Sequence, residues 1–160
     1  MTFADSYAGW KGSLPAEEVR TRVEGLRAML AAGQRYDPPG LFAGEPPPEC
    51  APLLEEITIA ARPASLERQL SMMAEADERD LLPRIAVPTL LIWGDADTRS
   101  PLDVARQFEN AIPDAELVVI PSAGHVSNLE KPRPFNDALR RFCRDHPPRA
   151  HWSDAERGVS

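Results

Sequence analysis

The sequence predicts an α/β protein: a helical first half, then the closing strand–helix–strand–helix of a parallel sheet. Two short apolar runs and the amphipathic stretch between them carry that prediction. Val87-Pro88-Thr89-Leu90-Leu91-Ile92-Trp93 and Leu117-Val118-Val119-Ile120 are nearly continuous in apolar residues, as strands buried on both faces of a parallel sheet are. Between them, Ser100-Pro101-Leu102-Asp103 has the Ser-x-x-Asp form of a capped helix start, with Pro at the first helical position. Val104, Ala105, Phe108 and Ile112 then form an inner face. Strand, helix and strand between residues 87 and 120 read as one right-handed βαβ unit.

The elements before this unit are helical. Ser13 is placed to cap a first helix, Pro15 falls in its first turn, and Glu17 and Glu18 suit the positive end of its dipole. Val19, Val23, Leu26 and Leu30 recur at helical spacing, and Gly33 ends the helix in a C′ role. Six of the 17 prolines crowd between Asp37 and Pro52, which marks a broken connection between helices. Leu53, Leu54 and Ile57 then suggest a short second helix. Pro63 opens a third, with Leu66, Leu70 and Met73 on one face; its partner is expected to be the stripe of the first. Met72 and Met73 read as gap-filling core residues. Asp77 to Leu82 is a polar bridge. After the βαβ unit, Phe135, Leu139, Phe142 and Cys143 share the apolar face of a final helix, whose last turn carries Arg140, Arg141 and Arg144.

Composition excludes several classes of function. The chain of 160 residues is 42% hydrophobic and 27% charged, with net charge −7, as an ordinary globular domain is. No Lys/Arg stripe offers a footprint for phosphates, so no nucleic-acid partner is expected. No apolar run is long enough to span a membrane, and the first residues have no signal-peptide pattern. Cys50 and Cys143 are far apart, without metal-ligand spacing, and read as free thiols of a reducing cytoplasm.

Open α/β sheets place their sites at the C-terminal ends of strands. Two loops qualify: Gly94-Asp95-Ala96-Asp97 after the first strand, and Pro121-Ser122-Ala123-Gly124-His125 after the second. A carboxylate on one and an imidazole on its neighbour can meet. The acid then fixes the histidine tautomer, and the histidine takes a proton from a nucleophile. Gly124 allows the tight loop this needs.

The residues Val87 to Asp97, Pro113-Asp114-Ala115-Glu116-Leu117, Ala123-Gly124-His125, Glu130-Lys131-Pro132 and Phe135-Asn136 resemble the closing third of the α/β-hydrolase superfamily. Its helical-capped members, similar to enol-lactonases and C–C-bond hydrolases, come closest. The opening, Phe3 to Trp10, resembles the point where the strand after the nucleophile helix emerges beneath the cap. The resemblance implies a partial α/β-hydrolase fold with the N-terminal half of the sheet absent. It divides the chain into 1–12, the end of a core strand and lead-in; 13–82, a helical cap or lid; 83–144, the C-terminal part of the core; and 145–160, a flexible tail.

The same resemblance assigns Asp97, the aspartate of Gly-x-x-Asp, as the acid and His125 as the general base of a Ser-Asp-His triad. Asp95 is left to solvent or a turn. His146 and His151 fall in the tail, Trp93 in the core or a pocket wall, and Trp10 and Tyr7 beneath the cap. In this superfamily the nucleophile precedes the acid, yet none of the chain's serines stands as Gly-x-Ser-x-Gly. The implied function is hydrolysis of an ester, lactone or activated C–C bond in a small-molecule substrate, without cofactor or metal and with the nucleophile missing. The alternative is an inactive fragment that binds a small apolar ligand or a protein partner. A piece of sheet of this size is expected to self-associate or to need a complementing N-terminal half, because the strand beginning at Val87 loses neighbours.

Overall fold

A computed structural model describes residues 1–34 and 39–147. Asp37 and Pro38 of the proline-rich connection, and residues 148–160 of the expected tail with His151, lie outside the described residues. The elements in chain order are β1 (Thr2–Ala4), α1 (Trp10–Ser13), α2 (Ala16–Ala31), α3 (Ala51–Ala60), α4 (Pro63–Glu75), β2 (Thr89–Gly94), α5 (Leu102–Ala111), β3 (Ala115–Ile120), α6 (Ser127–Glu130) and α7 (Pro132–Asp145). Short 3₁₀ turns occupy Pro48–Cys50 and Arg79–Arg84.

The three strands form a parallel sheet in the order β1-β2-β3, with Thr2 opposite Leu90 and Thr89 opposite Ala115. Every residue of β2 is buried. Its side chains alternate between two apolar layers. Leu91 and Trp93 pack with Val104, Ala105 and Phe108 of α5, and with Ile112 just after it, on one face. Leu90 and Ile92 pack with Ala138 and Phe142 of α7 on the other. The first layer also takes in Trp10 of α1, Leu14 and Leu70 of α4, so a single apolar cluster runs from the sheet into the helical half. Val19, Val23 and Leu26 of α2 lie against it.

Several local expectations are corrected. The strand at Val87 does not lose its neighbours, because Thr2–Ala4 pair with Leu90–Ile92 on the side away from β3. The strand at Leu117 is not buried on both faces. Among the described residues β3 pairs only with β2, and Val119 is 38% exposed. Ser13 does not cap α2: it closes α1, and Pro15 occupies the N-cap without a side-chain bond. Ser100 does not cap α5 either, because its hydroxyl donates to the Ser6 carbonyl at 2.7 Å. Met72 and Met73 are both exposed rather than core, and so is Cys143. Cys143 directly follows the buried Phe142, about 100° round a helix of 3.6 residues per turn. Gly33 does terminate α2, with φ +64° and its N–H on the Leu30 carbonyl.

Candidate active site

The carboxyl ends of all three strands meet at one edge of the sheet. Asp97 sits in the loop after β2, and its side chain is fully buried. Its Oδ1 accepts the backbone N–H groups of Arg99 and Ser100, both at 2.8 Å. Those two bonds fix the carboxylate plane from within its own loop, as in an Asx turn. Oδ2 is left pointing across to the loop after β3, where His125 Nδ1 lies 2.9 Å away. A carboxylate can only accept, so Nδ1 carries the proton of that bond and, in the neutral imidazole, Nε2 keeps its lone pair. The His125 side chain is 20% exposed.

Glycine is required where these loops pass each other. A Cβ on Gly94 would lie 2.1 Å from the Ala123 carbonyl oxygen, and one on Gly124 would lie 2.6 Å from the Ala43 nitrogen. The segment 41–43 is drawn onto the histidine loop by two sets of bonds. The Val126 N–H donates to the Leu41 carbonyl, and the Glu130 carboxylate accepts the N–H groups of Ala43 and Gly124. Asp95, expected to face solvent or a turn, is exposed and also joins the two loops, accepting the Ser122 N–H at 2.6 Å.

The third strand end holds a group that the motif pattern passed over. Asp5 follows β1 in a left-handed conformation, φ 44°, which aspartate tolerates better than most residues. It is 6% exposed. Oδ1 accepts the Gly94 N–H at 2.9 Å, and Oδ2 accepts the Ser127 hydroxyl at 2.6 Å and its N–H at 3.3 Å. One carboxylate therefore ties β1, the end of β2 and the start of α6, two residues after His125. Burial pushes the Asp5 carboxyl above the ordinary aspartate range; bonds from Ser127 and Gly94 act against this, and the Asp97 charge adds to it. The signal was available: the strand-end rule that found two loops applies equally to a third.

Tyr7 packs beside the histidine, ring centroids 6.3 Å apart, and against Trp10 at 6.1 Å. Its hydroxyl accepts from Arg22 at 2.9 Å. Burial raises its pKa, and the Arg22 hydrogen bond opposes the rise. Arg22 also stacks over the Trp10 ring at 5.3 Å and pairs with Glu18. Trp93 is core, its Nε1 donating to the Ser100 carbonyl at 2.9 Å. His146 lies exposed at the end of α7, against Phe142.

Three parallel strands, helices on both sheet faces and an Asp–His pair at the strand ends define the class. The sequence model of the alpha/beta hydrolase fold matches residues 58–132. A pimeloyl-acyl-carrier-protein methyl ester esterase of Vibrio vulnificus is 28% identical over 152 residues, covering 85% of this chain and 54% of the esterase. A 2-hydroxy-6-oxononadienedioate/2-hydroxy-6-oxononatrienedioate hydrolase of Pseudomonas is 37% identical over 67 residues, covering 42% of this chain and 24% of that enzyme. An esterase structure from Exiguobacterium antarcticum superposes with TM-score 0.72 at 21% identity, over 89% of this chain and 56% of the esterase. The chain has the α/β-hydrolase fold. It spans roughly a quarter to just over half the length of these relatives.

Proposed function

We propose that this chain supplies the acid and the base of a Ser-Asp-His hydrolase acting on an ester, lactone or activated C–C bond of a small molecule. The observation that carries the reading is the 2.9 Å contact of His125 Nδ1 with Asp97 Oδ2, on a carboxylate already fixed by two backbone N–H groups. Asp97 holds the imidazole in the tautomer that leaves Nε2 basic and stabilises the imidazolium when it forms. His125 takes the proton of the attacking hydroxyl and returns it to the leaving group. Residues 13–82 serve as the lid over this pair.

The nucleophile belongs to polypeptide outside residues 1–160, because in this superfamily it precedes the acid and no serine here stands as Gly-x-Ser-x-Gly. The test is nitrophenyl-ester hydrolysis by two preparations. Residues 1–160 alone should show no hydrolysis that His125→Ala removes. Expression from upstream DNA encoding Gly-x-Ser-x-Gly should show hydrolysis lost in both His125→Ala and Asp97→Ala. His125-dependent turnover by 1–160 alone would overturn the placement of the nucleophile. Turnover in the longer form that survives both substitutions would overturn the dyad.

A further inference from the structure

Residues Pro39 to Ala43 cross from the acid loop to the histidine loop. On the acid side the Pro39 carbonyl accepts from the Arg99 guanidinium at 3.0 Å, and Arg99 donates its backbone N–H to Asp97. Gly40, at φ +73°, lies so near Thr98 that a Cβ on it would stand 2.6 Å from the threonine hydroxyl oxygen. On the histidine side the Leu41 carbonyl accepts the Val126 N–H at 3.0 Å, and the Ala43 N–H donates to Glu130 Oε1 at 2.8 Å. This strap is braced on residues flanking both members of the Asp97–His125 pair.

Polar bonds hold the strap in place. None of its five residues is buried, and none belongs to either apolar cluster beside the sheet. A segment with so little apolar burial opens locally at well below the free energy of global unfolding. Glu130 is the side chain on which strap and histidine loop meet. Its Oε1 takes the N–H of Ala43, and its Oε2 takes the N–H of Gly124, the residue before His125. The two backbones touch there: a Cβ on Gly124 would lie 2.6 to 3.0 Å from main-chain atoms of Leu41, Phe42 and Ala43.

We propose that Glu130 is a positioning residue, coupling the seating of the Pro39–Ala43 strap to the contact between His125 and Asp97. Each of its oxygens is committed to a backbone N–H, so the carboxylate follows the two chain segments and not a side-chain rotamer. A strap that lifts takes the Oε1 bond with it and frees the carboxylate to turn, and the backbone before His125 loses its brace. An imidazole must be held to within about half an ångström to keep its partner, and bonds of this outer kind do the holding. Without them the 2.9 Å contact with Asp97 Oδ2, which fixes the tautomer, opens more often. The inference rests on the hydrolase reading only for what the pair is used for; the coupling needs no nucleophile.

The test is the exchange rate of the His125 Nδ1 proton with water, followed by NMR in the full chain and assigned by its loss in His125→Ala. Glu130→Ala should speed that exchange about tenfold, as the loss of one hydrogen bond allows, while the β2 amides keep their rates. Glu130→Gln keeps one of the two acceptor oxygens and should fall between Glu130→Ala and wild type. Ala43→Pro removes the strap's N–H and leaves the carboxylate on Gly124; it should speed the exchange several-fold. Should Glu130→Ala lose its circular dichroism spectrum, the other two variants carry the test. A wild-type rate in the folded Glu130 variants or in Ala43→Pro overturns the proposal. Equal speeding of the β2 amides would mark a general loss of stability and overturn it as well. Coupled exchange without His125-dependent hydrolysis in any expressed form would remove the hydrolase reading and leave the coupling. Hydrolysis with exchange unmoved in the variants would remove the coupling and leave the dyad.

Discussion

Replacing Asp97 in two ways separates what its carboxylate does for the loop from what it does for the imidazole. Asp97→Ala removes the acceptor of the Arg99 and Ser100 N–H groups. Ser100 is 0% exposed, so its N–H has no water to turn to, whereas the bond to Arg99 is only part-buried. At roughly 1–3 kcal/mol for each stranded donor, with Arg99 at the low end, the loss is about 3 kcal/mol. With a urea slope near ~2 kcal/mol/M, the unfolding midpoint should fall by about 1.5 M. Asp97→Asn keeps an oxygen for both N–H groups and should cost under ~1 kcal/mol. It turns an amide NH₂ toward His125, however, so Nδ1 must accept and the proton moves to Nε2. Nitrogen NMR of the imidazole reads that exchange directly. Equal stability of the two variants, or an unchanged tautomer in Asp97→Asn, would refute the geometry on which the site is built.

Three further expectations follow. The Asp5 carboxyl has its folded pKa raised above 3.8 by burial, so the native state holds its proton to higher pH than the unfolded chain does. Its contribution to stability is therefore greatest at or below pH 3.8 and declines as pH rises through the raised value. Stability of wild type relative to Asp5→Asn, measured by urea unfolding, should fall across that window; a flat difference would contradict the assignment. Gly124→Ala should destabilise by ~1–3 kcal/mol, since its Cβ meets backbone that cannot rotate away. Gly25→Ala, inside α2 with nothing within 4 Å, should stabilise by about 0.5–1 kcal/mol. Thermal melts giving both the same sign would show that the clash at 124 is not real.

Periodicity made β2, α5 and α7 legible because each repeats its apolar residues over several turns or along a continuous run. The pairing of Asp97 with His125 was legible because motif and strand-end position agree on these two residues, and their side chains meet. What failed was whatever depends on a distant partner. Ser100 has the spacing of a helix cap, but Ser6, far away in sequence, takes its hydroxyl. Leu117–Ile120 is apolar enough for a central strand, and only the sheet order leaves it, among the described residues, paired on one side. Asp5 follows a strand of three residues, too short to carry a period of two, so no pattern drew attention to the carboxylate that ties the other two strand ends together.

The sheet also sets an order of assembly. β2 and β3 pair across 26 positions, from Thr89 to Ala115, whereas β1 reaches β2 across 88, from Thr2 to Leu90. Closing the longer loop costs roughly 1 kcal/mol more in chain entropy, and contacts distant in sequence form late. The acid and histidine loops share the short-range unit, so their pairing can nucleate first. The Asp5 clamp closes only when the first strand docks. The last event of folding is then the one that fastens the start of α6 through Ser127, and slowing that event should leave a transient species with a formed βαβ unit and an unanchored α6.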